Sequence, residues 1–265
     1  MTSKKGASSP IMSAFSRPFK VAADHEPVDT LSVMQWNIFA QGFVQKDEFI
    51  NCPSALLNLE RRLELFRAEI LEYSPDIICL QEADIHSQLV SAISCEDSVV
   101  LEHIHTGFTV CVVCVHLKAK PAFLDFRRDE VECLMQHLTG LLRTRKDYGL
   151  LIAGDFNAEP WEPAIQTLQS SDLGLASAYA SASAGVEAEF TTWKIRKTED
   201  GSLLEVQHTI DYIFYSVATL KLLGIRPIPK PSEIGVGALP SEIFPSDHIN
   251  LIAYFGLPGT PSDGY

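Results

Sequence analysis

The run Leu150-Leu-Ile-Ala-Gly154-Asp155-Phe156-Asn157 ends four apolar residues and a glycine in a carboxylate and a carboxamide two positions apart. An acceptor-only anion beside a group that both donates and accepts suits holding a water against a phosphate. In extended backbone residues i and i+2 share a face, so the spacing predicts that Asp155 and Asn157 reach into one site. Four more clusters follow the same plan: Asn37, Glu82, His116 with Lys118, and Asp211 with the Ser246-Asp247-His248 triplet. Each has a plain explanation when taken singly, since Asn closes turns, Asp caps loops and a histidine can be a satisfied core residue. Together they put groups able to bind metal, proton or phosphate at the tips of separate apolar strands.

Those tips need a sheet behind them. Residues 31–36 read as the first strand, ending at Asn37. Leu59, Leu63, Phe66 and Ile70 recur at three- and four-residue spacings, which predicts a helix over 56–73 that Ser74-Pro75 stops. Residues 76–81 read as a buried strand delivering Glu82, and 83–97 fit neither pattern. Residues 99–105 and 109–116 resemble a hairpin about Thr106-Gly107. An amphipathic helix is expected over 123–143, before the Leu150 strand. Gly154 is expected to turn the backbone, and Pro160 suits the first turn of a following helix. The small, polar residues 170–189 read as a surface loop. Strands are expected over 190–197 and 208–215, flanking a turn at Asp200-Gly201, and over 220–228 and 249–255. Residues 1–30, rich in Ser, Pro and Ala, read as a disordered leader, 31–255 as one domain, and 256–265 as a tail. Strands outnumber helices and polar outliers fall at strand ends, which predicts a layered α/β sandwich with its site on one rim.

At 265 residues and 46% hydrophobic the chain can bury the core of one α/β domain. No apolar run is long enough to span a bilayer. Acidic residues outnumber basic ones 34 to 21, for a net charge of −13. That balance argues against a long polyanion held along a basic track. It allows a small phosphorylated substrate, because a local basic cluster or a divalent cation offsets the field. The six scattered cysteines read as free thiols in a reducing, cytoplasmic compartment. Lys4, Lys5, Arg17 and Lys20, with no acid among them, are compatible with a mitochondrial presequence. Cys111 and Cys114, with His103 and His105 upstream, suggest zinc. Odd spacing along a strand sends the two sulfurs to opposite faces and argues against it.

The set Gln35-Trp-Asn37, Gln81-Glu82, His116-Leu-Lys-Ala, Gly154-Asp-Phe-Asn-Ala-Glu-Pro160, Thr209-Ile-Asp-Tyr-Ile213 and Pro245-Ser-Asp-His248 resembles the endonuclease/exonuclease/phosphatase superfamily. Met34-Gln-Trp-Asn-Ile38, Thr191-Thr-Trp-Lys-Ile-Arg196 and Leu239-Pro-Ser241 resemble its nocturnin-like branch more than the deadenylase relatives. The resemblance implies a four-layer α/β sandwich, two packed mixed sheets flanked by helices, and Mg²⁺ as cofactor. It implies that Glu82 is the main metal ligand and that Asp155 positions or deprotonates the attacking water. Asn37 and Asn157 would donate to phosphate oxygens. His248 would contact the phosphoryl group, with Asp211 fixing its tautomer and charge and Asp247 supporting the metal or water side. His116 would lie near the leaving oxygen, and Lys118 and Lys120 would hold the substrate's anionic groups.

The chain departs from this pattern twice. Lys120 stands where an arginine is usual, so a planar fork becomes a point charge, and weaker substrate binding is expected. Only 34 positions separate Glu82 from His116, where the family carries a longer segment with extra strands and a substrate-facing lysine. The sheet carrying Glu82 is therefore expected to lack strands and to leave an open edge and unpaired apolar faces.

Three readings follow from the resemblance. One is removal of the 2′-phosphate of NADP⁺ or NADPH to give NAD⁺ or NADH. The second is 3′-to-5′ exonuclease action on poly(A) RNA, with the same residues and a steep salt dependence. The third is a shortened, catalytically impaired form that acts by binding. The acidic charge favours the first over the second.

Overall fold

Period-two alternation along the strands builds this protein, whose computed structural model describes residues 20–21, 29–44, 49, 51–93, 107–198 and 200–258. The described residues begin with β1 (Lys20–Val21), β2 (Thr30–Asn37), α1 (Leu59–Tyr73), β3 (Ile77–Gln81), α2 (His86–Ile93), β4 (Val110–His116) and α3 (Leu124–Leu142). Next come β5 (Gly149–Asp155), α4 (Pro163–Gln169), β6 (Leu175–Ser177), α5 (Ala178–Ala182), β7 (Thr192–Lys197) and β8 (Leu203–His208). The last elements are β9 (Asp211–Ser216), β10 (Lys221–Ile225), α6 (Pro231–Ile234) and β11 (Leu251–Gly256). One sheet runs β1-β10-β11-β2-β3, a second runs β4-β5-β9-β6, and β7 pairs with β8 alone. The neighbours β2/β3 and β4/β5 are parallel and the other pairs antiparallel, so both main sheets are mixed.

Alternation assigns each strand residue to one of two sides. Leu31 and Val33 of β2, Leu151 and Ala153 of β5, Ile213 and Tyr215 of β9, and Leu251 and Ala253 of β11 fill the space between the sheets. Their neighbours turn outward. Met34, Trp36 and Ile252 pack under α1 and α2 with Phe66, Ile70 and Leu89. Leu150, Ile152, Tyr212 and Phe214 pack under α3 and α4 with Val131, Leu138 and Ile165. The result is the expected sandwich of two sheets flanked by helices. Carried to the strand ends, the inward parity falls on Gln35 and Asn37, Gln81, Cys114 and His116, Asp155, and Asp211. A one-residue slip in any strand would send its tip to the helix side.

Several local expectations change. The helix predicted from residue 56 starts at Leu59, because Asn58 accepts from the Glu60 N–H and a 3₁₀ turn, Ser54–Leu57, precedes it. It stops at Ser74, which takes a left-handed φ of 41°. The open stretch after Glu82 contains α2. The proline that opens a helix is Pro163, not Pro160. Gly154 makes no turn: it lies inside β5, where a Cβ would sit 2.0 Å from the Val115 carbonyl oxygen. Residues 170–189 are not only a loop, since β6 pairs with β9 and Tyr179 of α5 enters the inter-sheet core. The hairpin partner of β7 is β8, and β9 is a further strand that belongs to the second sheet. From the stretch expected to be a leader, Lys20–Val21 pairs with β10. The expected strand over 99–105 lies wholly outside the described residues. Among the described residues β3 ends one sheet and β4 ends the other.

Candidate active site

Register brings the polar tips together. His116 pairs with Asp155 across β4/β5, and Asp155 with Asp211 across β5/β9, so three chemically able residues form one row. From the facing sheet, Asn37 and Gln81 pair at the ends of β2 and β3. Directly paired residues share a face, so the two rows meet at one rim of the inter-sheet space.

At the centre, the Asn37 carboxamide donates to Glu82 Oε1 at 3.1 Å and to Asp155 Oδ2 at 3.0 Å. Its own oxygen accepts from the Phe39 N–H, which fixes which atom is which. Glu82 follows β3 in a left-handed conformation, φ 55°, and its second oxygen accepts from the Ala40 N–H. Sparsely populated backbone of this kind persists where the surroundings over-determine it. Asp155 is 2% exposed, and its Oδ1 accepts from the Asn157 N–H at 2.8 Å. Burial, followed by the nearby Asp211, pushes its carboxyl above the usual range.

On the other side, His248 Nδ1 lies 2.9 Å from Asp211 Oδ2. That oxygen also accepts from Thr191 Oγ1, while Asp211 Oδ1 accepts from Gln35 Nε2. Burial opposes a charge on His248, but the Asp211 carboxylate outweighs it and leaves the imidazole pKa at about 9. His248 Nε2 points between Asp155 Oδ2 and Asp247 Oδ1, each 4.0 Å away and neither close enough to take its proton. His116 Nε2 is 3.7 Å from Asp155 Oδ2 and partly exposed, so the rim opens to solvent there. Burial pushes Asp247 up, but the Lys194 ammonium 2.6 Å away, with His248 and Arg196, holds it below the usual carboxylate range.

Asn157 differs from the expectation. Asp155 is the last strand residue, and the chain then turns with Asn157 at φ 48°. The shared-face argument from extended backbone does not apply, because Asp155 accepts from the Asn157 backbone in an Asx-type turn. The Asn157 side chain instead donates to the Leu117 carbonyl. Lys118 and Lys120 are exposed on the loop after β4, which the buried Arg127 holds through both their carbonyls. The Lys118 ammonium lies over the Phe123 ring, 5.2 Å from its centre. Cys111 faces the helices and Cys114 the opposite sheet, as odd spacing requires.

Sequence reasoning gave no role to four residues that position the site. Arg62, fully buried on α1, donates to the Ile38, Phe39 and Pro245 carbonyls and to Gln41. It thus ties the loop after Asn37 to the loop before Ser246. Gln35, Thr191 and Lys194 fix Asp211 and Asp247. The signal for Gln35 is a polar residue at the inward parity of an apolar strand. For Arg62 it is a charge in the stripe that continues through Phe66, Glu69 and Tyr73.

The oxygen-rich donor set fits a hard divalent cation. Asp247 Oδ1 is buried without a hydrogen-bond partner, as an oxygen reserved for an ion or its water would be. Ligand atoms of Asp155, Asp211 and His248 also lie within 4.8 Å of one another. Asp211 Oδ2 is already committed to His248 and Thr191, so the Glu82 side serves a cation better.

Two packed mixed sheets with carboxylates and an Asp–His pair at one rim define a hydrolase of the endonuclease/exonuclease/phosphatase type. The chain belongs to the Endonuclease/Exonuclease/phosphatase family, whose profile matches residues 34–248. It is 32% identical to Xenopus laevis nocturnin over 293 aligned positions, covering 88% of this chain and 74% of that protein. An alignment of that length must open gaps in a 265-residue chain, in keeping with a shortened segment. The solved catalytic domain of human nocturnin with a bound sulfate anion superposes with a TM-score of 0.66 at 27% identity, covering 91% of this chain and 98% of that one. The Ccr4 3′-5′-exoribonuclease subunit of the CCR4-Not complex of Saccharomyces cerevisiae is 28% identical over 58% of this chain and 21% of its own length. No helix among the described residues is long and apolar enough to cross a membrane.

Proposed function

We propose that this chain is an Mg²⁺-dependent phosphohydrolase that removes the 2′-phosphate of NADP⁺ or NADPH, giving NAD⁺ or NADH and inorganic phosphate. One observation carries the reading: the Asn37 carboxamide joins Glu82 to Asp155 beside a histidine that Asp211 keeps cationic. Glu82, with Asn37, Asp155 and Asp247 near it, would hold the ion. When bound, Mg²⁺ supplies charge neutralisation for the phosphate oxygens.

The chain's own groups do the rest. Asp155 orients the attacking water and accepts its proton, a task eased by its raised pKa. His248 Nε2–H, taken by neither carboxylate, donates to a phosphoryl oxygen as negative charge gathers there. His116 stands on the open side toward the leaving oxygen. Lys118 and Lys120 meet the dinucleotide's remaining anionic groups, and Asn157 braces the loop between them and Asp155. Nocturnin relatives and the sulfate on the human catalytic domain, a tetrahedral dianion like phosphate, support the reading. A net charge of −13 disfavours a polymer track.

The test is release of inorganic phosphate from NADPH with and without Mg²⁺. Release that needs both the ion and Asp155 is expected; none from a folded sample would overturn the reading. The likeness to Ccr4 supports a second reading, a 3′-5′ exonuclease on poly(A). That reading predicts a ladder of shortened RNA whose yield falls steeply with salt. No turnover of either substrate would leave a form that acts by binding.

A further inference from the structure

A chain of polar contacts leads from the histidine to β3 and β4, the last strands of the two sheets among the described residues. Asp211 is acceptor-only, so Gln35 must present its amide nitrogen to it, at 3.0 Å. The same nitrogen donates to Gln81 Oε1 at 2.7 Å, which turns the Gln81 nitrogen outward to Cys114 Sγ at 3.2 Å. Polarity along the chain is therefore fixed by the carboxylate, and its far end is a thiol that accepts from Gln81 and donates to the Leu80 carbonyl. Cys114 is exposed on β4, while Cys79 is buried on β3 with the same inward parity as Gln81. Cys114 Sγ also lies 3.5 Å from the carbonyl oxygen of Leu80, the residue between Cys79 and Gln81, so the sulfur sits against the stretch of β3 that carries Cys79.

We propose that Cys79 and Cys114 form an oxidation site, closing to a disulfide with a hydroperoxide as oxidant and slowing the hydrolase through Gln81 and Gln35. The Cys114 thiolate attacks the peroxide O–O bond, forming a sulfenic acid and releasing the alcohol or water. The Cys79 sulfur then displaces hydroxide from the sulfenic sulfur, and its proton leaves with that hydroxide as water. Two thiols and one hydroperoxide thus yield one disulfide, one alcohol or water, and one water. The neighbouring Cys79 thiol, with Gln81, outweighs burial and brings the Cys114 thiol down to about 7, where much of it is thiolate at neutral pH. After closure the sulfur is a poorer acceptor, Gln81 loses its outer partner, and the support of Asp211 loosens. Through Asp211 and His248 this inference rests on the proposed hydrolase.

Peptide mapping of the full chain after hydrogen peroxide treatment reads the bond without reference to activity. A crosslinked peptide pair holding Cys79 and Cys114, reversed by dithiothreitol, is expected. Its absence, or a link from Cys114 to another cysteine, overturns the site whatever the substrate is. Phosphate release from NADPH should fall at least fivefold on oxidation and recover on reduction. Cys79→Ser and Cys114→Ser should each retain activity under peroxide. Gln81→Leu should still form the disulfide while its oxidised and reduced forms turn over alike. Equal inhibition of both serine variants, or an oxidised Gln81→Leu as impaired as the oxidised parent, would refute the coupling.

Discussion

Asp155 and His248 face each other with Nε2 and Oδ2 4.0 Å apart, each flanked by the Asp211 carboxylate, and that carboxylate acts on them oppositely. It repels a second negative charge on Asp155 and attracts a positive one on His248. The proposed mechanism needs Asp155 ionised and His248 protonated, so kcat/KM should be bell-shaped in pH. The acid limb should lie above the ordinary carboxylate range and the alkaline limb near 9. Asp211→Asn should bring the alkaline limb down toward the ordinary histidine value, which a pH–rate profile on NADPH reads directly. The same pair affects folding. The folded-state pKa of His248 is raised, so its stabilisation is complete below the unfolded value and is lost as pH rises through about 9. Asp155→Asn should lower kcat by about 10²- to 10⁴-fold with far-ultraviolet circular dichroism unchanged. Lys194→Met leaves the buried Asp247 unpaired and should destabilise by about 3 kcal/mol, measured by urea unfolding.

Between elements, close approach and clamping matter more than propensity. Gly154 lets β4 and β5 run parallel with the Val115 carbonyl against its Cα. Gly154→Ala should therefore spread the row that joins His116 to Asp155 and lower the melting temperature by several degrees. Arg62 on α1 holds two site loops at once, and burial lowers its pKa to about 10 without stripping its charge at neutral pH. Arg62→Ala leaves three carbonyls unsatisfied and should cost about 3–5 kcal/mol, seen as a shift in the urea midpoint. The sequence identified β2, α1, β3, β4, α3, β5, β7, β9, β10 and β11, each from an apolar or alternating run. Of the elements it missed, β8 is a mostly exposed hairpin strand, and β6 and α5 are short and small-sided. Leu175–Ser177 and Ala178–Ala182 become a strand and a helix only because β9 and the inter-sheet core receive them.

Over the whole molecule the acidic charge concentrates its meaning at one rim. Glu82, Asp155, Asp211 and Asp247 meet there against His248 and Lys194, so a divalent ion that binds only the folded chain should stabilise it. At a hundredfold excess over Kd the gain is about 2.7 kcal/mol, and Glu82→Gln should remove most of it. Thermal unfolding with and without Mg²⁺ checks this without any substrate. Among the described residues one sheet ends at β3 and the other at β4, and only 34 positions lead from Glu82 to His116.

Sequence alone determined which groups are available: acids, amides and histidines set at the ends of apolar strands, in an order that resembles one superfamily. It also determined the layered class, because period-two and helical patterns dictate which side of each element is buried. It did not determine the register, which decides that His116, Asp155 and Asp211 stand in one row. Nor did it show that Asn157 turns away while Gln35, Arg62 and Lys194 turn in. Those outcomes depend on hydrogen bonds between residues far apart in the chain, and such bonds acquire partners only once the two sheets have closed on each other.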